Sequence, residues 1–218
     1  MPSSLVYLDP NMPVILQVDP DAPDPAVIRQ AAEMVHDGLV VAYPTDTLYG
    51  LAVDPRNAGA VRRLFALKGR AETSALTLIA ADVAHARAAG DFSDEADRIA
   101  ATFWPGPLTI VVLARPILAA EVLGGGQTVG IRIPGHPVAV ALARDAGFCV
   151  TATSANRSGE AAAATPDAVA AALPDIDAIL DGGAAPGGRP STIVNASGRV
   201  PVLVRDGAVP WERVLKSF

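Results

Sequence analysis

The chain contains one cysteine, Cys149, so no internal disulfide can form and packing alone must supply stability. That thiol sits in an apolar run, Phe148 to Ala152, and reads as inert core. Histidine is almost as scarce. His36, His85 and His136 lie far apart, so neither a zinc site nor a Ser-His-Asp triad has local spacing to support it. His136 precedes Pro137 and reads as a cap or brace at a helix start. Aromatic residues are 5% of a chain that is 50% hydrophobic, and alanine makes up much of that half; close helix packing is therefore expected. Positive charge is in deficit, with Lys+Arg 17 against Asp+Glu 23. That excludes a globally basic nucleic-acid coat but not a local basic groove. No uncharged apolar run approaches the ~20 residues needed to span a bilayer. Met1-Pro2-Ser3-Ser4 shows no charged region leading into a long apolar core, so no signal peptide is expected and a soluble cytoplasmic protein is.

What the sequence does contain is alternation. At 218 residues the length suits one large domain or two small ones. Residues 1–24, rich in Pro and Asp, are expected to form a loose arm with an edge strand at Val14–Val18. Residues 25–218 are expected to form one domain, since no repeat and no long linker divides them. Asp24 and Pro25 supply an N-cap and a first helical residue, with Gly38 just past the end. A strand is predicted at Leu39–Tyr43. Asn57 caps a helix running to about Leu67, and a strand follows at Leu76–Ala80. Ser93 caps a third helix with Asp94 and Glu95 in its first turn. Trp104-Pro105-Gly106-Pro107 turns into a strand at Leu108–Leu113, and Gly124-Gly125-Gly126 into one at Thr128–Ile133. Pro137 opens a helix that Gly147 ends, before a strand at Phe148–Ala152. Thr165-Pro166-Asp167 starts another helix, and late strands are predicted at Ala178–Leu180, Ser191–Asn195 and Val200–Val204. Strands alternating with helices define an α/β layered fold.

Two glycine-rich segments invite misreading. Gly183 and Gly188 have the spacing of a phosphate loop, but Arg189-Pro190-Ser191 follows where Lys then Ser or Thr is required. The proline also removes an N–H such a loop would use. Gly124-Gly125-Gly126 lacks the third glycine of a dinucleotide fingerprint.

Chemistry gathers instead at element ends. Pro44-Thr45-Asp46-Thr47-Leu48-Tyr49-Gly50 directly follows a buried strand and offers hydroxyls, N–H groups and one carboxylate. It has no strong nucleophile and no metal-ligand set, which suits gripping a polar small molecule. Lys68-Gly69-Arg70, Ser154-Ala155-Asn156 and Ser191-Thr192 also fall at element ends, where ligands bind in open α/β sheets. Lys68 and Arg70 flank a glycine, so both could face one anion, or both could simply suit the helix dipole. Ser154-Ala155-Asn156-Arg157-Ser158-Gly159 reads as a binding loop or as an ordinary polar one. Arg132, between Ile131 and Ile133, needs an anionic partner, either a ligand or an internal salt bridge. Arg205 beside Asp206 reads as ligand-facing or as a surface pair.

Taken in order, Pro44–Gly50, Lys68-Gly69-Arg70, Trp104-Pro105-Gly106-Pro107-Leu108-Thr109, Arg132-Ile133-Pro134-Gly135-His136-Pro137, Ser154–Gly159, Asp181-Gly182-Gly183, Ser191-Thr192-Ile193-Val194 and Arg205-Asp206-Gly207 resemble the YrdC-like threonylcarbamoyl-AMP synthase family. Each piece alone is weak; the full series at compatible spacing is specific. The resemblance runs from about Asp24 to the C-terminus. It implies a single-domain, twisted mixed α/β sheet flanked by helices, with a concave ligand cavity, in the short form that lacks a further C-terminal domain. Two departures stand out. Ala71-Glu72-Thr73-Ser74-Ala75-Leu76 replaces a segment that often reads Pro-x-x-Asn-Pro-Leu, and Ile79 stands where a histidine near the threonine is found.

The activity implied is nucleotidyl transfer: L-threonine, bicarbonate and ATP give threonylcarbamoyl-AMP and pyrophosphate, for tRNA threonylcarbamoyladenosine formation. By resemblance, Lys68 and Arg70 are the catalytic, phosphate-facing cations. Ser74, Thr128, Ser154, Asn156 and Arg205 complete the ATP site. Thr47, Thr45, Arg132 and Ser191 contact threonine, Arg132 through its carboxylate. Magnesium would come with ATP, with no side-chain metal ligands expected. The implied partners are a downstream tRNA threonylcarbamoyl transferase machinery and, weakly, tRNA or double-stranded RNA; no membrane is implied. Besides a plain small-molecule-binding α/β protein, two alternatives stay open. One is an RNA-binding module without catalysis. The other is the carbamoyl-adenylate chemistry of hydrogenase maturation, whose zinc-finger and acylphosphatase modules are absent from this sequence.

Overall fold

The computed structural model describes residues 12–71 and 73–218. Its strands are β1 Val14–Gln17, β2 Val41–Tyr43, β3 Gly50–Ala52, β4 Thr77–Ile79, β5 Gly90–Asp91, β6 Leu108–Ala114, β7 Thr128–Arg132, β8 Val150–Thr151, β9 Thr153–Ser154, β10 Ala178–Asp181, β11 Thr192–Asn195 and β12 Val202–Arg205. Its α-helices are α1 Pro25–His36, α2 Ala58–Lys68, α3 Val83–Ala89, α4 Asp94–Phe103, α5 Pro137–Ala146, α6 Pro166–Ala172 and α7 Trp211–Val214, with a 3-10 turn at Ala120–Leu123.

The helices start where short polar side chains can take up orphan N–H groups. Asp24 accepts from Ala26, Asn57 from Gly59 and Ala60, Ser93 from Ala96, and Thr165 from Ala168. Gly69 and Gly147 close α2 and α5 in the left-handed region, at φ of 59 and 73, where a side chain would be strained. His136 occupies the N-cap of α5 but makes no side-chain cap bond. Its expected capping role is therefore not seen, and its Nδ1 is buried without a partner. The sequence reading missed α3, which Asp82 caps by accepting from His85 N, and the short α7.

Two sheets result. One has the order β1-β10-β2-β3-β9, and the other β12-β11-β6-β7-β4-β8 with β5 beside β6. The expected arm at 1–24 lies in its first half outside the described residues. Its second half contains β1, a true edge strand, which runs parallel to β10 with Val14 opposite Ala178 and Gln17 opposite Asp181. The predicted strand at Phe148–Ala152 is instead a crossing. Val150–Thr151 pairs with β4, and Thr153–Ser154 pairs with β3 in the other sheet. β2 is buried on both faces: Ala42 packs into one core and Val41 and Tyr43 into another. A strand covered on both sides reads as a continuous apolar run rather than an alternating one. Cys149 is 4% exposed, and burial pushes its thiol up to about 12. Among the described residues no helix is long and apolar enough to cross a membrane.

The sheets diverge beyond the crossing, and Gly207 helps fix the far wall of the gap. A Cβ there would lie 2.5 Å from both the Ser191 carbonyl carbon and the Thr192 nitrogen, both main-chain atoms that cannot move aside. Gly207→Ala is expected to lower the melting temperature by roughly 5 °C, the effect of about 1–3 kcal/mol of overpacking in a domain of this size. Differential scanning calorimetry checks it; an unchanged melting temperature would mean the 206–208 turn is free to shift.

Candidate active site

Between the sheets lies a cavity of about 440 Å3, within the usual range for small-molecule sites of ~300–1,000 Å3. The Thr45–Gly50 loop forms one wall, and Thr77, Ile79, Thr109, Arg132 and Ile193 form the other. Thr153, Ser154, Ser191, Arg70 and Arg205 also line it. Among the described residues no acidic side chain lines it, whereas three arginines do.

The loop holds its own shape. Thr45 Oγ1 accepts from Thr47 N at 3.1 Å and donates to the Leu48 carbonyl at 2.7 Å. Its hydroxyl is thus spent on the turn, while Thr47 Oγ1 lies 3.1 Å away. The Gly183–Gly188 segment is a buttress for this loop. Gly187 N donates to the Thr47 carbonyl at 2.8 Å, and Tyr49 Oη donates to the Gly183 carbonyl at 2.7 Å.

Arg132 is 6% exposed, and the internal salt bridge left open by the sequence is present. Its Nη2 meets Asp46 Oδ1, and its Nε donates to the Gly106 carbonyl at 2.9 Å. No hydrogen bond among the described residues takes its Nη1. Arg205 sits on an exposed edge strand, but its guanidinium folds back over Ser191. Nη2 donates to the Ser191 carbonyl at 2.8 Å and to Ser191 Oγ at 3.2 Å. Ser191 Oγ in turn lies 3.0 Å from Thr109 Oγ1. Arg70 donates from Nη1 to Thr153 Oγ1 at 3.0 Å and from Nη2 to the Ala75 carbonyl at 3.1 Å. Burial holds Arg70 below the ordinary arginine value, and burial with the nearby Arg132 does the same to Arg205. Neither has a carboxylate within salt-bridge distance among the described residues. Partly desolvated cations without counter-charges are what an anionic ligand would relieve.

Four expected site residues lie elsewhere. Lys68 is 3% exposed and is absent from the cavity wall. Its ammonium is turned toward the main chain of Ser154 and Asn156. Asn156, 6% exposed, uses its amide inside its own loop: Nδ2 donates to the Arg157 and Glu160 carbonyls, each at 2.8 Å. Ser74 is half-buried in a turn that its N closes on the Ala71 carbonyl at 3.2 Å; the next residue, Ala75, reaches the cavity. Thr128 pairs with Leu113 at the far end of the β6–β7 ladder. It is roughly 13 Å along the strand from Arg132, by the rise per residue. Asp46 and Thr109 are the functional groups the sequence reading passed over. The carboxylate's place one residue from Thr45 and Thr47 was visible, but its partner across the fold was not. Ile79 lines the cavity opposite Arg132 in the β4–β7 register.

The result is an α/β cleft lined by arginines and hydroxyls. Comparison gives the family. The family model named for Sua5, YciO and YrdC, described as Telomere recombination, matches residues 33–207, and the chain belongs to that family. It is 36% identical over 190 residues to a threonylcarbamoyl-AMP synthase of Bacillus subtilis (strain 168), covering 86% of this chain and 55% of that protein. It therefore spans little more than half the length of that curated relative. A threonylcarbamoyl-AMP synthase of Vibrio vulnificus (strain YJ016) is 37% identical, over 83% of this chain and 98% of its own length. The crystal structure of P. abyssi Sua5 complexed with L-threonine superposes with a TM-score of 0.89 at 33% identity, covering 94% of this chain and 60% of that one.

The Asp46–Arg132 pair makes a stability prediction. Asp46→Asn leaves the guanidinium without its counter-charge and should cost about 2 kcal/mol, less than the ~3–5 of a fully enclosed pair because the cavity is open to water. Urea unfolding reads this as a lowered midpoint at unchanged slope. No shift in midpoint would show that the pair contributes nothing to folding.

Proposed function

We propose that this chain synthesises threonylcarbamoyl-AMP, releasing pyrophosphate, from L-threonine, bicarbonate and ATP. The observation that carries the reading is the convergence of Arg70, Arg132 and Arg205 on one cavity with no acidic side chain in its wall among the described residues. The names of the relatives support it, as does the threonine complex of a structure this similar.

The reaction needs no enzyme nucleophile. The threonine amine takes up CO2, in equilibrium with bicarbonate, and becomes a carbamate. A carbamate oxygen attacks the α-phosphorus of ATP, the bond to the bridging oxygen breaks, and pyrophosphate leaves. Placement and charge neutralisation are the protein's contributions. Arg132 offers its uncommitted Nη1 to the threonine carboxylate. Thr47 and the Ser191–Thr109 hydroxyl pair face the amino acid. Arg70, beside Ser154, faces the phosphates, and Arg205 closes the site over Ser191. Among the described residues no group of three or more His, Cys, Asp or Glu is placed to hold a metal ion. Asp46 is already engaged by Arg132. Magnesium would come with ATP and would supply charge shielding at the triphosphate. The product is a mixed anhydride, so an acyl-accepting step must follow, and transfer to tRNA by a partner machinery fits it. RNA affinity of the acidic chain is expected to be weak and steeply salt-dependent.

Purified protein should release pyrophosphate only when ATP, L-threonine and bicarbonate are all present, with a new adenylate seen by mass spectrometry. Equal release without threonine would sink the assignment. Arg70→Ala removes a charge-assisted contact worth on the order of 1.5–3 kcal/mol, so ATP affinity should fall about tenfold or more by calorimetry.

A further inference from the structure

The two cations flanking Gly69 do different things. Arg70 lines the cavity. Lys68, the last residue of α2, does not, and its three N–H donors are all spent. They go to the Ser154 carbonyl, the Asn156 carbonyl at 2.7 Å and Asn156 Oδ1 at 3.4 Å. The main-chain carbonyl of Lys68 also accepts from Ser158 N at 2.8 Å. One residue thus grips the loop at both ends. Within the loop, Ser154 Oγ donates to Asn156 Oδ1, and Ala155 N donates to the Tyr49 carbonyl at 2.9 Å. Because Asn156 Nδ2 meets only carbonyls, the amide has one consistent orientation, with Oδ1 toward the ammonium. To reach a phosphate, Lys68 would have to abandon three buried acceptors together.

We propose that Lys68 is a positioning residue rather than a phosphate ligand: its ammonium holds the 154–158 loop in the shape that presents Ser154 to the cavity before any nucleotide arrives. The proposal takes its nucleotide from the proposed function, but the loop-holding role stands on geometry alone. Burial and the neighbouring Arg70 lower the Lys68 pKa to about 8. Arg70 is the charged neighbour acting on it, since Arg157 and Glu160 enter the network only through their carbonyls. Losing the proton leaves two N–H donors and a lone pair facing oxygens, so the grip should loosen as pH rises through that value.

The test is hydrogen exchange of the full chain without nucleotide. In Lys68→Met the 154–160 segment should exchange about tenfold faster or more, with α1 and α5 unchanged, as expected of local rather than global opening. Arg70→Ala is the control: it removes only the Thr153 contact at the edge of the segment, so it should weaken ATP binding while speeding exchange of this segment far less than Lys68→Met does. Native protection of the loop in Lys68→Met, together with lost ATP affinity, would overturn the proposal and make Lys68 a direct phosphate contact. If Lys68→Met does not fold, the wild type supplies the same test. Between about pH 7 and about pH 9.5, loop exchange corrected for its intrinsic pH dependence should rise with a midpoint near the Lys68 value. A flat corrected rate would overturn it. All of these exchange readouts are independent of whether the chain makes an adenylate.

Discussion

The cavity depends on one crossing of the chain between two sheets, and Thr151 makes that crossing feasible. A strand that leaves one sheet for another strands main-chain groups in a dry interior unless something else pairs with them. Thr151 is fully buried. Its hydroxyl donates to the Leu51 carbonyl at 2.8 Å and accepts from Val53 N at 2.9 Å. Its carbonyl accepts from Tyr43 Oη at 2.9 Å, and Ala152 N reaches back to the Thr77 carbonyl at 2.7 Å. Thr151 thus bonds to the β2–β3 side through its hydroxyl, its N–H (to the Val53 carbonyl at 3.3 Å) and its carbonyl, while Ala152 N makes the reach to β4. Immediately past this seam come Thr153 and Ser154, which receive Arg70 and Lys68. The ligand-facing geometry follows from where the sheets part.

Electrostatics inside the gap runs opposite to that of the surface. The acidic chain carries exposed pairs such as Arg62–Glu121 and Arg87–Asp97, which are screened and contribute little. In the cavity the balance reverses. Arg132 has one carboxylate, and among the described residues Arg70 and Arg205 rest on neutral oxygens alone. Such an arrangement costs folding free energy, because partly buried cations lose hydration without a counter-charge in return. Local rules broken in this way mark functional sites.

Much of the layer order was readable because its signals are local. Asp24, Asn57, Ser93 and Thr165 cap helices within three residues of themselves, and Gly69 and Gly147 end them. The signals that failed are those needing a partner far along the chain. The run Phe148–Ala152 reads as one strand, since nothing in it says that only Val150–Thr151 pairs with β4 and that Thr153–Ser154, just beyond it, joins the other sheet. The edge strand β12 reads like a buried one, although all four of its residues are exposed. In the site, the convergence of Thr47, Arg70, Arg132, Ser154, Ser191 and Arg205 was legible from motif order. The turn of Lys68 away from the cavity was not. Gly69, in the left-handed region, separates the two cations; Lys68 takes the Ser154 and Asn156 oxygens, while Arg70 takes Thr153 Oγ1 and the Ala75 carbonyl.

Why arginine, rather than lysine or threonine, faces the ligand follows from counting donors. Thr45 has one hydroxyl and spends it on the turn that shapes the loop. Lys68 has three N–H groups on one nitrogen and spends them on the Ser154 and Asn156 carbonyls and the Asn156 side-chain oxygen. A guanidinium spreads five N–H groups over three nitrogens in a rigid fork. Arg70 is fixed through Nη1 and Nη2, whereas Arg132 and Arg205 are fixed through Nε and Nη2. Each leaves one nitrogen without a hydrogen bond among the described residues. Only this side chain can be anchored firmly enough to lose little entropy on binding and still present a charged donor. In a cavity with no acid in its wall among the described residues, that property decides which residues brace the site and which await the anion.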